Sequence, residues 1–191
     1  MSKAKLIRAV AIVNLLVLPS YGGALPDVSQ AYPTNQWTTP SYPTPIGVGQ
    51  TIDLGPFGFT NVTDASMFIG LSNRVDCEVC AIAGGSPFRV QASMGASFTE
   101  ATAHMLHRFS VMSAKHPLPS LDPLVSNIGD LAYTGWNTNS IDSLFFIRNN
   151  VFVRVRSGNE TQSVLPLSRL IDEQLLSLST NAAPANASFS D

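Results

Sequence analysis

The chain is short of the residues that usually carry chemistry. Its 191 residues include two cysteines and three histidines, so a four-thiolate zinc site is excluded. Charged residues make up 13% of the chain, about half the usual share of a soluble domain. A formal net charge of −2 gives no long-range pull on phosphate backbones or anionic lipid, which disfavours nucleic acid as a partner. No G-x-S-x-G elbow, P-loop or G-x-G-x-x-G order occurs, and the glycines of "GPFGFTNVT" and "GVGQ" have no basic residue near them to meet a phosphate. Neither a cofactor nor a bound metal is expected.

Ser, Thr, Asn, Gly and Pro supply the polarity instead, a composition that suits an exported protein. The N-terminus agrees. Lys3, Lys5 and Arg8 precede an apolar run, Ala9–Leu18, which ends at Pro19 and small residues. Gly22 and Ala24 stand three and one positions before a cut at Leu25, so residues 1–24 read as a secretory signal peptide. The run is shorter than the about 20 residues of a membrane helix, no cysteine stands at the cut to take a lipid anchor, and no later segment is apolar enough to span a bilayer. A secreted or envelope location is expected. Asn61, Asn159 and Asn186 begin N-x-S/T sequons and are the candidate glycan acceptors.

Residues 25–50 are dense in Pro and Thr, lack apolar periodicity and repeat "YPT" at Tyr32 and Tyr42. Proline biases its predecessor toward extended backbone, so this stretch is expected to be a flexible linker. Residues 181–191 read as a disordered tail. A single domain is expected over 51–180.

Within that span one pattern occurs twice. Apolar stretches flank Gly84-Gly85-Ser86-Pro87, and Val90, Ala92 and Met94 alternate with polar residues as in a half-buried strand. A helix follows, opened by a Ser97/Glu100 capping box, with Phe98, Ala101, Met105, Phe109 and Met112 along one face. "SLFFIRNNVFVRVRSG" is a second hairpin, turning at Asn149-Asn150, with Val151, Val153 and Val155 on one side and Phe152, Arg154 and Arg156 on the other. "LPLSRLIDEQLLSLS" then predicts a helix striped by Leu167, Leu170, Ile171 and Leu178. A further short helix is expected through "TNVTDASMFIGL", capped by Thr63 or Asp64. Two hairpin-plus-helix units predict an α+β domain, an antiparallel sheet with helices packed on one face.

The order of these elements, with "NIGDLAY" before the second hairpin, resembles small exported actinobacterial domains of the lipoprotein type and the extracytoplasmic sensor domains of receptor kinases. Their pattern G-x-G-D-x-A-(F/Y) is matched by Gly129, Asp130, Ala132 and Tyr133, followed by Leu144–Arg148 and Val151–Arg156. The lipobox cysteine is missing, and the Pro/Thr segment is not a mark of that family. The resemblance implies a non-enzymatic ligand-binding or sensing module.

Candidate chemistry is sparse. His104 and His107 are three apart on one helix but face away from its apolar stripe, so a solvated pair is expected rather than a metal site. The carboxylates are scattered. Asp130, with Tyr133, is the most distinctive, and is a binding candidate beside its more ordinary role as a loop or cap residue. Arg148, Arg154 and Arg156 give the second hairpin a basic face, and Arg154 with Arg156 are candidates for receiving an anionic ligand or partner. Cys77 and Cys80 form a C-x-x-C. Asp76 and Glu78 flank Cys77 with negative charge, which works against a reactive thiolate, and an oxidising compartment favours pairing. A local Cys77–Cys80 disulfide across a tight bend is expected, on the condition that the strand is broken there.

The expected function is therefore a non-catalytic binding domain outside the cell or at the envelope, its partner a small ligand, a cell-wall component or a protein. Two alternatives stay open. One is a secreted enzyme, either a thiol oxidoreductase using Cys77 and Cys80 or a hydrolase with an unmarked site. The other is a secreted surface or effector protein that works through a protein partner.

Overall fold

The computed structural model describes residues 27–57, 66–68, 77–83, 86–113, 116–135, 140–159 and 162–180, and for 66–68, 77–83 and Ser86 the backbone alone. Seven strands and two long helices are present among these: β1 (Thr51–Asp53), β2 (Ser66–Phe68), β3 (Cys77–Ala83), β4 (Ser86–Met94), α1 (Phe98–Ser113), β5 (Leu131–Thr134), β6 (Ser143–Arg148), β7 (Val151–Ser157) and α2 (Leu165–Thr180). Five strands make the main antiparallel sheet in the order β3-β4-β7-β6-β5. Each hairpin keeps its own pairing, and β4 joins β7 at the centre, Val90 opposite Val155. The α+β class is as expected.

The helices differ from expectation in one respect: they take opposite faces of the sheet. Val151, Val153 and Val155 of β7 and Leu144 and Phe146 of β6 share a core with Leu167, Ile171 and Leu175 of α2. Phe152, Phe145 and Ile147, the alternate positions, share a second core with Phe98, Ala101, Met105, Phe109 and Met112 of α1. The sequence of β6 explains this. "SLFFIR" is apolar on both of its period-2 faces, and a strand of that kind needs cover on each side. Phe145 and Phe146 are both fully buried, one per face, each contributing about 1.5–3 kcal/mol.

The helix stripes are close to those predicted. All five expected positions of α1 are buried. Its cap is a variant of the box: Ser97 Oγ accepts from the Glu100 amide at 3.3 Å, while the Glu100 carboxylate reaches the Ala96 amide at 2.7 Å rather than the Ser97 amide. On α2 the buried stripe is Leu167, Ser168, Ile171, Asp172, Leu175 and Ser179, with Leu170 only half-buried. Residues 66–68, expected to be helical, instead form β2, which pairs antiparallel with β1, Ile52 opposite Met67. The expected caps Thr63 and Asp64 lie outside the described residues.

The segment expected to be a linker is part of the fold. Val28 and Tyr32 are buried in the α1-side core, with Trp37 packed against it. Ile46 is buried in the α2-side core with Ile52 and Leu54. Between them, the chain crosses the end of the sheet where β6 turns into β7. The irregular backbone there is held by side chains. Asn149 Nδ2 donates to Thr44 O at 2.9 Å, and Asn150 accepts from the Ile46 amide at 2.7 Å and donates back to Ile46 O at 3.1 Å. Asn149 takes the positive φ of +56° that the two-residue turn needs at its first position. A lack of periodicity was the signal for a linker, but a strap bonded residue by residue has none either.

Candidate functional site

Three arginines of the sheet lie on its α1 side, and a fourth comes from α1 itself. The register sets the arrangement. One row across the sheet runs Ser93, Phe152, Ile147, Leu131; the next runs Glu78, Gln91, Arg154, Phe145, Tyr133; the third runs Cys80, Arg89, Arg156, Ser143. Side chains alternate between faces along a strand, so residues at steps of two share one face. The α1 side therefore changes from apolar at Phe152 to basic at Arg89 and Arg156. The helix adds the fourth cation. His104 and Arg108 are one turn apart on α1 and lie along β4: His104 Nδ1 is 2.8 Å from Ser93 Oγ, and Arg108 Nη2 donates to Gln91 Oε1 at 3.1 Å.

Gln91 is the hinge of this cluster. Its Oε1 also accepts from Arg154 Nη1 at 3.1 Å, so one neutral oxygen draws two guanidinium groups together. Arg154 is buried and its guanidinium lies over the Phe145 ring, 5.5 Å from the centroid. Arg156 and Arg108 are half-buried and Arg89 is exposed. Glu78 holds the strand position opposite Gln91 and is the acidic residue in these rows. Arginine suits oxyanions because its planar fork meets a carboxylate or phosphate through two parallel bonds.

The sequence candidates part ways here. Arg154 and Arg156 come together, two residues apart on the same face. Tyr133 is at the far end of the Arg154 row and is buried, with Tyr32 edge-on at 5.1 Å and Phe109 at 5.7 Å; its role is in the core. Burial holds its phenol above the ordinary value. Arg148, expected to share a face with Arg154 and Arg156, sits on the α2 side instead, because across the hairpin it pairs with Val151, which points to the opposite face of β7.

Asp130 belongs to a buried polar clasp with Arg148. Arg148 Nε and Nη2 donate to the two carboxylate oxygens of Asp172, each at 2.7 Å. Its Nη1 donates to Asp130 Oδ1 at 2.7 Å and to Tyr42 Oη at 3.0 Å. Asp130 Oδ1 also accepts from the Tyr42 hydroxyl at 2.5 Å, and its Oδ2 from the Asn149 amide at 2.7 Å. Burial opposes the charge on Arg148, but the bonds it donates to Asp172 and Tyr42 and the nearby carboxylates hold its guanidinium above its ordinary value. Burial, with the bond to Asp130, also raises the Tyr42 phenol. Asp130 lines a cavity of about 510 Å³ beside Asp122, Ile128 and Ala132, yet both its oxygens are already occupied. The whole "GDLAY" stretch is architectural: Gly129 lies at φ +67° against Ile147 O, Asp130 closes the clasp, and Ala132 and Tyr133 fill the two cores.

Ser93 and His104 form the one serine–histidine contact of catalytic type among the described residues. It lacks the rest of a hydrolytic site. Ser93 is buried, no carboxylate bonds His104, and the Glu100 carboxylate one turn back is committed to the Ala96 amide. His107 is exposed, and no group of three or more metal-ligating side chains occurs among the described residues.

The expected disulfide does not fit the backbone. β3 pairs with β4 without a break from Cys77 opposite Ala92 to Cys80 opposite Arg89. Residues three apart in a regular strand are separated by about 10 Å, beyond the roughly 7 Å reach of a disulfide. Neither cysteine stands at a helix N-terminus, the usual setting of an acidified redox thiol. Of the sequon asparagines, Asn159 is exposed and its Oδ1 accepts from Ser157 Oγ and the Gln162 amide. Asn61 and Asn186 lie outside the described residues.

No family model, curated protein or solved structure matches the chain. Function is therefore argued from geometry. Sequence reasoning missed Arg89, Gln91 and Arg108 because they come from another hairpin and a helix, and only strand pairing brings them beside Arg154. It also missed Asp172. The usable signal was its place, one residue after Ile171 on the core-facing stripe, where a charge needs a buried partner.

Proposed function

We propose that this chain is an exported, non-catalytic binding domain whose recognition surface is the arginine face of β4, β7 and α1, and whose ligand is anionic. The observation that carries this is the convergence of Arg108 and Arg154 on a single neutral oxygen, with Arg89 and Arg156 one row away. In a chain of net charge −2, this concentration is local and suits a local ligand rather than long-range steering. The signal-like N-terminus and the resemblance to exported sensor-type domains support the setting outside the cytoplasm.

The test is thermal unfolding of the exported chain at low ionic strength. Inorganic phosphate is expected to raise the midpoint, chloride at matched ionic strength is not, and Arg89→Ala/Arg156→Ala is expected to lose the phosphate effect. An undiminished effect in that variant would remove the arginine face as the site.

A further inference from the structure

The main sheet ends at β5, and among the described residues the outer edge of that strand is closed at one point. There Ser120 N donates to Thr134 O at 3.0 Å and Thr134 N to Ser120 O at 2.9 Å. Outward-facing backbone groups come at every second residue of an antiparallel strand, so the next N–H and C=O to face away from β6 are those of Ala132. Pairing continued from Ser120 would set Asp122 against Ala132. Asp122 instead accepts from the Leu124 amide at 2.9 Å and caps the short 3₁₀ helix Pro123–Val125. A cavity of about 510 Å³ takes the place of the missing pair, lined by Leu121, Asp122, Pro123 and Ser126 on the loop side and by Leu131 and Ala132 on the strand side.

Each polar side chain of that lining already has a partner within the fold. Asp122 forms the cap, Ser126 Oγ donates to Pro123 O at 2.8 Å, and both Asp130 oxygens belong to the clasp. Two features are left to recognise an occupant. One is apolar surface, extended outward by Leu118, Leu121 and Leu124, the last two 71% and 64% exposed. The other is the backbone pair of Ala132, a buried residue, and buried N–H and C=O groups are nearly always bonded. The walls are set in advance: Tyr32 Oη donates to Pro119 O at 2.5 Å, Ser120 is held at both backbone groups, and Asp130 is fixed by Arg148 and the Asn149 amide.

We propose that this cavity receives an extended apolar segment of a partner protein, which continues the sheet edge. The segment exchanges two backbone bonds with Ala132, as Ser120 does with Thr134, and places an apolar side chain in the cavity. Main-chain bonds supply the affinity and the cavity the selectivity, as in strand addition generally. An alkyl chain would fill the same volume but leave the Ala132 pair unmet. The proposal is independent of the arginine face, which lies on β4, β7 and α1.

Amide NMR of the purified chain tests this with three probes: acetyl-Thr-Val-Thr-Val-Thr-amide, the same peptide with its backbone nitrogens methylated, and 1-octanol. The first peptide is expected to move the Ala132 amide resonance downfield and saturably. The methylated peptide keeps the apolar side chains but has no N–H to give, and is expected to bind about fivefold or more weakly, the effect of one lost hydrogen bond. Octanol is expected to leave the Ala132 amide where it was. Leu121→Ser, a change at an exposed side chain that the fold tolerates, is expected to weaken the first peptide. Leu176→Ser, at another exposed leucine, on α2 and 40% exposed, is the control and is expected to change nothing. Equal binding of the two peptides, or octanol displacing the first peptide from Ala132, overturns strand addition in favour of a general apolar site. No response at Ala132 to any probe, or equal weakening by Leu121→Ser and Leu176→Ser, overturns the cavity as a site.

Discussion

Arg148 lays its guanidinium edge against Asp172, with two parallel bonds of 2.7 Å between the β6 end and the buried side of α2. The side chains keep only 11% and 8% of their exposure. A buried pair of this kind contributes little over an apolar replacement, but removing one partner strands the other. Arg148→Met is therefore expected to destabilise the fold by about 3–5 kcal/mol, read as a lower urea midpoint. Arg148→Met/Asp172→Leu is expected to lose less than the sum of the two single changes, because Asp130 keeps the Asn149 amide and the Tyr42 hydroxyl. Additive losses would show that the pair is not coupled.

Tyr42 ties the N-terminal strap to this clasp by donating to Asp130 at 2.5 Å. Tyr42→Phe keeps the ring and removes the hydroxyl, leaving both Asp130 and Arg148 one partner short. Hydrogen bonds to charged groups are worth about 1.5–3 kcal/mol, and the unfolding free energy is expected to fall by that order. Limited proteolysis gives the second readout, with faster cleavage in 25–50 than in the parent chain. A strap that stays as resistant as before would mean that the Val28, Tyr32 and Ile46 anchors suffice alone.

How much of this was legible in the sequence depends on the range of the interaction. The α1 stripe, the hairpins and the β7 alternation were readable because period and turn chemistry are local. The face taken by each helix was not, since both faces of "SLFFIR" are apolar and neither helix names its side. The strap was misread because Tyr42, Thr44 and Ile46 find their partners about a hundred residues away. The arginine face was half visible: Arg154 and Arg156 share a strand, but Arg89 and Arg108 join them only through the β4–β7 register. Asp130 was legible as distinctive, with a loop or cap role beside a binding one. Its distinctiveness comes from a structural clasp.

Tyr32 and Tyr133 predict an alkaline limit to stability. Burial raises both phenols above the ordinary tyrosine value of about 10. A group whose folded value is raised contributes its full stability below the unfolded value and loses it as pH climbs toward the folded one, because the unfolded chain gives up the proton first. Urea stability is thus expected to be insensitive to these groups below about pH 9 and to fall as pH climbs above about 10. Tyr133→Phe is expected to flatten that slope. An identical slope in the variant would assign the alkaline loss to other groups.

Gly129 is a position where no side chain fits. Its φ is +67°, and a Cβ built there meets Ile147 O at 2.6 Å and Phe146 Cβ at 3.1 Å. The first obstacle is backbone at the start of the β5–β6 pairing, where Ile147 faces Leu131, so it cannot rotate away. Gly129→Ala is expected to cost more than the about 1 kcal/mol of the positive-φ strain alone. It should appear as a large drop in midpoint with the anion affinity per folded molecule unchanged, since the arginine face lies on other strands. A neutral Gly129→Ala would show that β5 tolerates displacement from β6.

Cys77 and Cys80 provide a chemical check on the strand. With β3 regular from Cys77 to Ala83 and paired throughout with β4, the about 10 Å between residues three apart keeps the two sulfurs from bonding to each other. Alkylation of the purified protein without reductant is therefore expected to label both thiols on denaturation, and reductant is expected to leave the unfolding midpoint where it was. Cys77→Ser/Cys80→Ser should then change stability by the small amount of two side-chain replacements, not by the 2–4 kcal/mol typical of a lost disulfide. A mass two hydrogens short, abolished by reductant, would mean that β3 breaks between the cysteines. The Glu78–Gln91 and Cys80–Arg89 registers would then shift with it, which ties this measurement directly to the geometry of the arginine face.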